Sequence, residues 1–128
     1  MFSELNDKQR QAVEAGDEPL LIVAGAGSGK TKTLTARLAY LIAQRGVKPE
    51  SILAITFTNK AAHEMKDRAL DLLHKHHITT TTEPFLGTFH SFGAWILRRE
   101  ARRFNRTADF SIFDDDDSQR IIKGIVKD

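Results

Sequence analysis

The sequence predicts an α/β fold in which helices cover the faces of a parallel β-sheet, and two observations support this prediction. Apolar runs at residues 20–24 and 52–57 are continuous rather than alternating, which is typical of strands buried on both faces. After each run, apolar residues recur at helical spacing. With a short third strand over residues 85–89, this order of elements predicts right-handed crossovers between parallel strands.

The segment before the first strand is predicted to be a short helix over residues 6–15. Asn6 is a suitable N-cap, and Gln9 lies three residues later, as a capping box requires. Residues 16–19, which read Gly-Asp-Glu-Pro, then interrupt the helix. After the first strand, residues 25–29 form a tight loop that contains three glycines.

The second helix is predicted over residues 30–45, with Gly46 as its C-cap. Its apolar residues fall on one stripe, which consists of Leu34, Leu38, Leu41 and Ile42. The third helix follows the second strand, and Asn59 is its predicted cap. Its apolar face would consist of Ala62, Met65, Ala69, Leu72 and Leu73.

The C-terminal part of the chain is predicted to be helical beyond a polar loop at residues 79–82. A helix from Ser91 onward would carry a series of arginines on one face, namely Arg98, Arg99, Arg102, Arg103 and Arg106. This stripe is either a solvated face or a surface that follows phosphates. Four aspartates at residues 114–117 precede a last helix, whose apolar stripe consists of Ile121, Ile122, Ile125 and Val126.

The composition is that of a globular chain. Its 128 residues are 41% hydrophobic and 28% charged, which suits one domain or slightly more and excludes intrinsic disorder. The net charge is only +2, so any basic surface must be local. The absence of cysteine excludes disulfides and thiolate metal sites. No apolar run approaches the roughly 20 residues of a membrane span, and no signal-peptide pattern occurs, so we expect a cytoplasmic protein without membrane contact.

A glycine-rich segment carries the strongest chemical signal. The Walker A pattern, with alanine in place of the leading glycine, is matched by Ala24, Gly25, Ala26, Gly27, Ser28, Gly29, Lys30 and Thr31. Such a loop points backbone N–H groups at an anion, and the helix that follows adds unpaired donors. Lys30 can reach the β- and γ-phosphates, and the Thr31 hydroxyl can bind the Mg²⁺ that bridges them. The alternative is a glycine-rich turn that only caps the helix.

Four segments together resemble a known family. The four segments are LNDKQRQAV, AGAGSGKTKTL, ILAITFTNKAAHEM and GTFHSF. Their order and spacing closely resemble the N-terminus of UvrD/Rep-type superfamily 1 DNA helicases. The resemblance covers nearly the whole chain and is much more specific than the Walker loop alone. It implies a RecA-like P-loop NTPase fold, with the first part of a motor domain over residues 1–92 and the start of an inserted helical subdomain over residues 93–128.

The resemblance also implies which residues contact ATP. Gln9 resembles the glutamine that reads the adenine edge, and the capping box is its alternative role. In this family an arginine commonly follows the Walker threonine and packs on the adenine. Lys32 occupies that position here and keeps the charge but not the planar surface. The Walker residues supply the remaining contacts, with Lys30 and Thr31 in catalytic roles.

Two further motifs resemble contacts to single-stranded DNA. The first corresponds to Phe57, Thr58, Asn59 and Lys60, and the second to Thr88, His90 and Ser91. An exposed phenylalanine can stack on a base, and the polar groups can hold phosphates without reading sequence. The alternative is that Phe57 belongs to the core and that Asn59 is only a helix cap.

The implied parent protein is an ATP-dependent DNA helicase of DNA repair or replication. It would step 3′ to 5′ along single-stranded DNA and unwind duplex junctions. The family's Asp-Glu motif and its second motor domain do not occur in this sequence, so we expect the fragment alone to bind nucleotide weakly and to be inactive without the remainder of the helicase chain. Another P-loop ATPase or kinase, or a non-catalytic nucleotide- or DNA-binding module, is the alternative.

Two polar clusters are interpreted as helix ends rather than metal sites. His74, His76 and His77 lie where the third helix ends, and cationic side chains are favourable there. The aspartates at residues 114–117 lack the long apolar strand that precedes a Walker B acid, and they suit the start of a helix.

Overall fold

The computed structural model describes residues 2–126, and the chain divides into two compact units, Met1–Phe92 and Gly93–Asp128. The first unit contains helices α1 (Asp7–Glu14), α2 (Lys30–Ala43) and α3 (Asn59–Lys75). It also contains strands β1 (Leu53–Thr56) and β2 (Phe85–Thr88), with a 3-10 turn at Pro49–Ser51. Helix α4 (Phe89–Arg99) begins at the end of this unit, and α5 (Asp115–Val126) is the last helix described. The prediction of a mixed α/β fold with a parallel sheet and flanking helices is confirmed.

Helix α1 begins as the sequence predicts. The Asn6 side chain accepts a hydrogen bond from the Gln9 N–H at 2.9 Å, and the Gln9 Oε1 accepts one from the Asn6 N–H at 3.1 Å. This reciprocal pair is the predicted capping box. Helix α1 is short, and its tertiary contacts are mainly with α2.

The prediction of a strand at residues 20–24 is wrong. This segment is not assigned to a strand, and no strand among residues 2–126 is hydrogen-bonded to it. Its side chains are not buried either, since Leu21 is 86% exposed and Val23 is 88% exposed. A parallel strand is stable only when neighbouring backbone groups and covering side chains are supplied from elsewhere, and the described residues supply neither.

Helix α2 follows the glycine-rich loop directly and ends two residues earlier than predicted. Gly46 has a φ of 64°, and the Val47 N–H bonds the Leu41 carbonyl at 2.9 Å, so the predicted glycine turn closes this helix. The predicted apolar stripe is only partly correct, because Leu34 is exposed. The buried face consists instead of Thr33, Thr35, Ala36, Leu38, Ala39 and Ile42.

The sheet consists of β1 and β2, which pair in parallel. Leu53 lies opposite Phe85 and Thr56 lies opposite Thr88. The predicted second strand is confirmed in a shorter form, but it is not buried on both faces, since only Ala54 in β1 is buried. The third strand is also shorter than predicted, because α4 begins at Phe89 rather than at Ser91.

Helix α3 connects the two strands and covers one face of the sheet. Its N-cap is Thr58, whose Oγ1 accepts a hydrogen bond from the Ala61 N–H at 3.1 Å, so the prediction of Asn59 as the cap is wrong by one residue. Threonine and asparagine are both good caps, and the backbone angles at residue 58 decide between them. The predicted apolar face is confirmed, with Ala62, Met65, Ala69 and Leu73 buried and Leu72 partly buried.

The core of the first unit has two parts. The larger part joins α2, β1 and α3 and consists of Leu38, Ala39, Ile42, Ala54, Met65, Ala69 and Leu73. The smaller part holds α1 against α2 and consists of Leu5, Val13 and Ala36, with Phe2 and Tyr40 packed beside them. Helix α2 therefore contributes to both parts, and the loop at its N-terminus is mounted on the most buried helix of the unit.

The second unit contains most of α4, a 3-10 turn at Ala101–Phe104 and α5. The predicted arginine stripe is not one helix face, because α4 ends at Arg99 and the later arginines lie in and after the 3-10 turn. Two of the arginines pack on rings, Arg98 over Phe110 and Arg99 over Trp95. Arg102 and Arg103 lie in the 3-10 turn, and Arg106 follows Asn105, whose left-handed φ of 53° ends that turn.

The aspartates at residues 114–117 lie at the start of α5, as the sequence predicts, although three of them are inside the helix rather than before it. The Asp117 N–H donates to the Asp114 Oδ1 at 2.8 Å, and Asp115, Asp116 and Asp117 occupy the first turn. Negative charge is favourable at a helix N-terminus. Within residues 2–126, no group of three or more His, Asp or Glu side chains is arranged to hold a metal ion. No helix in the same part of the chain is long and apolar enough to cross a membrane.

Candidate nucleotide and DNA sites

The glycine-rich loop has the backbone shape that its sequence requires. Gly27 and Gly29 have φ values of 73° and 85°, in the left-handed region where a side chain would be strained. Ser28 stabilises the turn, because its Oγ donates to the Gly25 carbonyl at 2.7 Å. Gly29 is also the N-cap of α2 and supplies no side chain to cap it. The first N–H groups of α2 therefore have no side-chain cap, an arrangement typical of helix ends that bind anions.

Lys30 is held over the mouth of this loop. Its Nζ donates to the Ala24 carbonyl at 2.9 Å and to the Gly25 carbonyl at 2.6 Å. An ammonium group has three donors, so one N–H remains for a further acceptor. The loop thus holds its own cation in place, and Ala26 and Gly27 form the turn beside it.

Thr31 lies in the first turn of α2 with its side chain exposed. Its hydroxyl is the oxygen that could bind a cation next to the loop. Its carbonyl accepts a hydrogen bond from the Thr35 Oγ1 at 2.8 Å, and Thr33 makes the matching bond to Gly29 at 3.1 Å. These two bonds join buried threonine side chains to carbonyls at the start of the helix, and they stabilise its first turn.

Gln9 joins α1 to the loop. Besides its part in the capping box, its Nε2 donates to the Ser28 carbonyl at 3.1 Å. The carboxamide has two donors and two acceptor lone pairs, so one of each remains. The sequence presents the helix cap and an adenine contact as competing roles of Gln9. The side chain has enough donors and acceptors for both.

Lys32 is directed away from the loop. Its Nζ bonds the Glu4 carbonyl at 2.9 Å and lies 3.3 Å from the Glu4 Oε2. Lys32 also lines a cleft of about 320 Å³ between residues 2–5, α2 and the C-terminal half of α3. Its ion pair is exposed, so it contributes little to stability.

Two clefts meet at the start of α2. One, of about 220 Å³, lies beside α1 and is lined by Gln9, Ala24, Ser28 and Lys30, among others. The other, of about 280 Å³, lies between the start of α2 and the end of β1. Its lining includes Lys30 and Thr31 on one side and Phe57 and Thr58 on the other. The structure therefore brings two of the predicted motifs to opposite walls of one cleft.

The end of β1 presents an aromatic ring to solvent. Phe57 is 93% exposed, which excludes the alternative that it belongs to the core. The Thr56 Oγ1 donates to the Thr58 carbonyl at 2.9 Å and shapes the turn that projects the ring. Asn59 and Lys60 follow, both exposed, in the first turn of α3.

The end of β2 lies beside this ring. Thr88 and Ser91 bond each other, with the Thr88 N–H donating to the Ser91 Oγ at 2.8 Å and the Ser91 N–H donating to the Thr88 Oγ1 at 3.2 Å. His90 is exposed. The Phe89 ring is 61% exposed, and its centroid lies 6.3 Å from that of Phe57. Sequence analysis did not select Phe89, although its position directly after Thr88 in a parallel register was a usable signal.

Arg37 is a second residue that sequence analysis missed. It lies on α2 and bonds backbone carbonyls at the C-terminal end of α1. The available signal was that α1 has no basic residue in its own last turn.

These observations define an α/β protein with a glycine-rich loop of Walker A sequence at the start of its most buried helix. A family model described as the UvrD/REP helicase N-terminal domain matches residues 5–128, and the chain belongs to this family. The resemblance seen in the four sequence motifs is thereby confirmed.

Curated relatives agree with this family. The chain is 48% identical over 128 residues to the ATP-dependent DNA helicase PcrA of Bacillus subtilis (strain 168), and 44% identical over 127 residues to the PcrA of Staphylococcus aureus (strain Mu50). It is 45% identical over 124 residues to a probable DNA helicase II homolog of Mycoplasma capricolum. These matches cover 97 to 100% of this chain and 17% of the length of each relative.

Proposed function

We propose that this chain is the part of an ATP-dependent DNA helicase that holds the ATP phosphates and contacts single-stranded DNA. The observation that carries the proposal is the cleft between α2 and β1, which has Lys30 and Thr31 on one wall and Phe57 on the other. A cleft shared by the two sites gives nucleotide binding a short contiguous path to the DNA contacts. The relatives are themselves described as DNA helicases.

The nucleotide half of the proposal rests on the loop. Backbone N–H groups and the N-terminus of α2 hold the phosphates, with Ala24, Gly25, Ala26, Gly27, Ser28 and Gly29 forming the loop around them. Lys30 contributes its remaining N–H and its charge to the β- and γ-phosphates. Gln9 contacts the adenine edge with its remaining donor and acceptor. Lys32 would have to leave Glu4 to reach the base, so it is the weakest of the proposed contacts.

Mg²⁺ fits beside the loop through Thr31. The hydroxyl is exposed in the first turn of α2, and phosphate oxygens and waters are the other ligands that Mg²⁺ usually takes. When bound, the ion would neutralise charge that develops on the phosphates. Thr31 orients the ion, and the threonine side chains beneath it keep the first helical turn in place.

The DNA half of the proposal rests on the exposed edge of the sheet. Phe57 stacks on a base, and Phe89 extends the aromatic surface beside it. The polar residues around these rings bind phosphates, and they are Thr58, Asn59, Lys60, Thr88 and His90. Hydroxyl, amide and ammonium donors fix the strand without reading its sequence, which a motor that moves along any DNA requires.

The whole-protein activity is proposed from the family. The parent helicase would step 3′ to 5′ along single-stranded DNA and unwind duplex junctions, in DNA repair or replication and in the cytoplasm. Residues 1–92 would be the first part of its RecA-like motor domain, and residues 93–128 the start of an inserted helical subdomain. The rest of the helicase chain would supply the acid that positions the attacking water and the arginines that stabilise the transition state.

A nucleotide panel tests the proposal. The 128-residue chain should bind ATP weakly, prefer it over GTP, respond to added single-stranded DNA and show no useful hydrolysis. Equilibrium titration of a fluorescent nucleotide, with and without oligothymidylate, measures the first three properties. Binding that ignores both the base and DNA would favour another P-loop enzyme such as a kinase, and rapid DNA-stimulated hydrolysis would contradict the expectation that these residues are incomplete.

A further inference from the structure

The contacts of Arg37 reach across from α2 to the end of α1. Its Nη1 donates to the Val13 carbonyl at 2.8 Å and to the Ala15 carbonyl at 2.7 Å. Its Nη2 donates to the Gly16 carbonyl at 2.9 Å. These are backbone acceptors at and just beyond the last turn of α1. The bonds to Val13 and Ala15 are partly buried and so are shielded from water, whereas the bond to Gly16 is exposed.

Helix α1 has no basic residue in its own last turn. The last carbonyls of a helix have no partner within the helix, and they carry its partial negative charge. The C-cap of α1, Ala15, has non-helical backbone angles. The guanidinium of Arg37 therefore supplies, from another helix, the cap that the local sequence does not.

The opposite end of α1 bears the link to the phosphate loop. Gln9 lies in the first turn and bonds the Ser28 carbonyl. The helix has eight residues, so it is about 12 Å long and acts as a short rigid element. Val13 packs on Ala36 between the two ends. An interaction that fixes the C-terminal end of α1 thus also fixes where Gln9 lies over the loop.

We propose that Arg37 is a positioning residue for the adenine end of the nucleotide, acting through helix α1 and Gln9. This inference rests on the proposed ATP site and adds to it a residue that touches neither the loop nor the nucleotide. It separates two functions of the site: the loop holds phosphates by its own shape, and Arg37 sets the base contact.

The test compares ATP with inorganic tripolyphosphate, which has the phosphates but no base. Arg37→Met keeps the apolar stem and removes the guanidinium. It should weaken ATP binding by about three- to tenfold and leave tripolyphosphate binding unchanged. Arg37→Lys should recover part of the loss, because one ammonium can still reach some of these carbonyls. Arg45→Met is the matched control, since Arg45 bonds the Asp17 carboxylate rather than α1 carbonyls.

A double variant shows whether the effect passes through Gln9. In a Gln9→Ala background, Arg37→Met should no longer change the ratio of ATP to tripolyphosphate affinity. Three results would overturn the proposal. Arg37→Met could weaken the binding of ATP and tripolyphosphate equally, or weaken neither. It could also weaken ATP binding as much in the Gln9→Ala background as in the wild type. If Arg37→Met does not fold by circular dichroism, the same comparisons are made with Arg37→Lys.

Hydrogen exchange separates this proposal from the proposed function. Amides of α1 should exchange faster in Arg37→Met, while those of α3 should not change. If the wild-type chain binds neither ligand, the proposed nucleotide site fails, and the exchange result still decides whether Arg37 positions α1. Unchanged exchange in α1 would overturn that role.

Discussion

The start of α2, with the glycine-rich loop before it, and the aromatic edge of the sheet lie on two sides of one cleft, but they are organised in different ways. The loop is held by hydrogen bonds within the chain, from Lys30, Ser28 and Gln9 to loop carbonyls. At the aromatic edge, hydrogen bonds such as those between Thr88 and Ser91 fix the backbone turns, while the rings of Phe57 and Phe89 are exposed and contact each other.

This difference fits the two proposed ligands. A triphosphate has the same shape in every cycle, so a preformed loop avoids the entropy cost of ordering it at each binding event. Single-stranded DNA presents a different base at each step, and an exposed aromatic face accepts any of them. The cleft thus combines a rigid wall with an adaptable one, and substitutions in each wall should affect different ligands.

The largest expected effect is on the rigid wall. Lys30→Ala removes the charge at the mouth of the loop and should weaken ATP and tripolyphosphate binding by about 10- to 100-fold, as expected for a lost charge-assisted hydrogen bond. DNA binding should change much less. Titration with each ligand measures both. Lys123→Ala, an exposed lysine in α5, is the control, and an equal loss of DNA binding in Lys30→Ala would contradict the division between the walls.

The next effect is on the adaptable wall. Phe57→Ala should weaken oligothymidylate binding by about tenfold, because a stacking surface is lost, without changing tripolyphosphate binding or stability. Fluorescence anisotropy at fixed low salt measures the first, and thermal unfolding the last. The matched control is Phe113→Ala, whose ring is 58% exposed but lies in the second unit. Loss of stability in Phe57→Ala would mean that the ring has a packing role.

A smaller effect concerns the shape of the loop itself. Gly29→Ala forces a side chain into a left-handed conformation and places its Cβ 2.7 Å from the Gln9 Nε2. We expect the free energy of unfolding to fall by about 1 to 2 kcal/mol. Gly16→Ala is the control, because no atom lies within 4 Å of the added Cβ. Urea denaturation measures both, and equal stabilities would show that the loop is not strained by a side chain at residue 29.

The two apolar runs show how far the sequence predicts the fold. Residues 20–24 and 52–57 have the same strand-like pattern, but among residues 2–126 only the second run pairs, with β2, which lies about 30 residues later in the chain. Pairing depends on partners that are distant in sequence, and local periodicity carries no information about them. The bounds of α1 and α2 were predicted to within two residues, because caps and helix breakers are local features, whereas the helix expected to carry the arginine stripe ends at Arg99. Asn59 was mistaken for Thr58 because adjacent residues were both good caps.

The candidate site divides in the same way. The Walker loop was predictable because its glycines, lysine and threonine are adjacent in the sequence. The Phe57–Phe89 pair and the Arg37 contacts were not predictable from the sequence, because each joins residues more than 20 positions apart. Lys32 was expected near a nucleotide, and its contact with Glu4 depends on the fold of the N-terminal segment.

The smallest expected effect is on stability, and it concerns a hydrogen bond that lies outside both walls of the cleft. The Thr82 Oγ1 donates to the Glu50 Oε2 at 2.6 Å, and this bond is the main reason that the pKa of Glu50 lies below its ordinary value of 4.5. A lowered folded-state pKa stabilises the protein above the ordinary pKa, and this stability is lost as the pH falls through the lowered value. Thr82→Val should therefore raise the pKa of Glu50, which NMR titration measures. It should also reduce the free energy of unfolding slightly at neutral pH but not in acid, which urea denaturation at the two pH values measures. Because Glu50 and Thr82 line neither wall, ATP and DNA binding should stay the same, and a change in either would mean that the turn before β1 is coupled to the cleft.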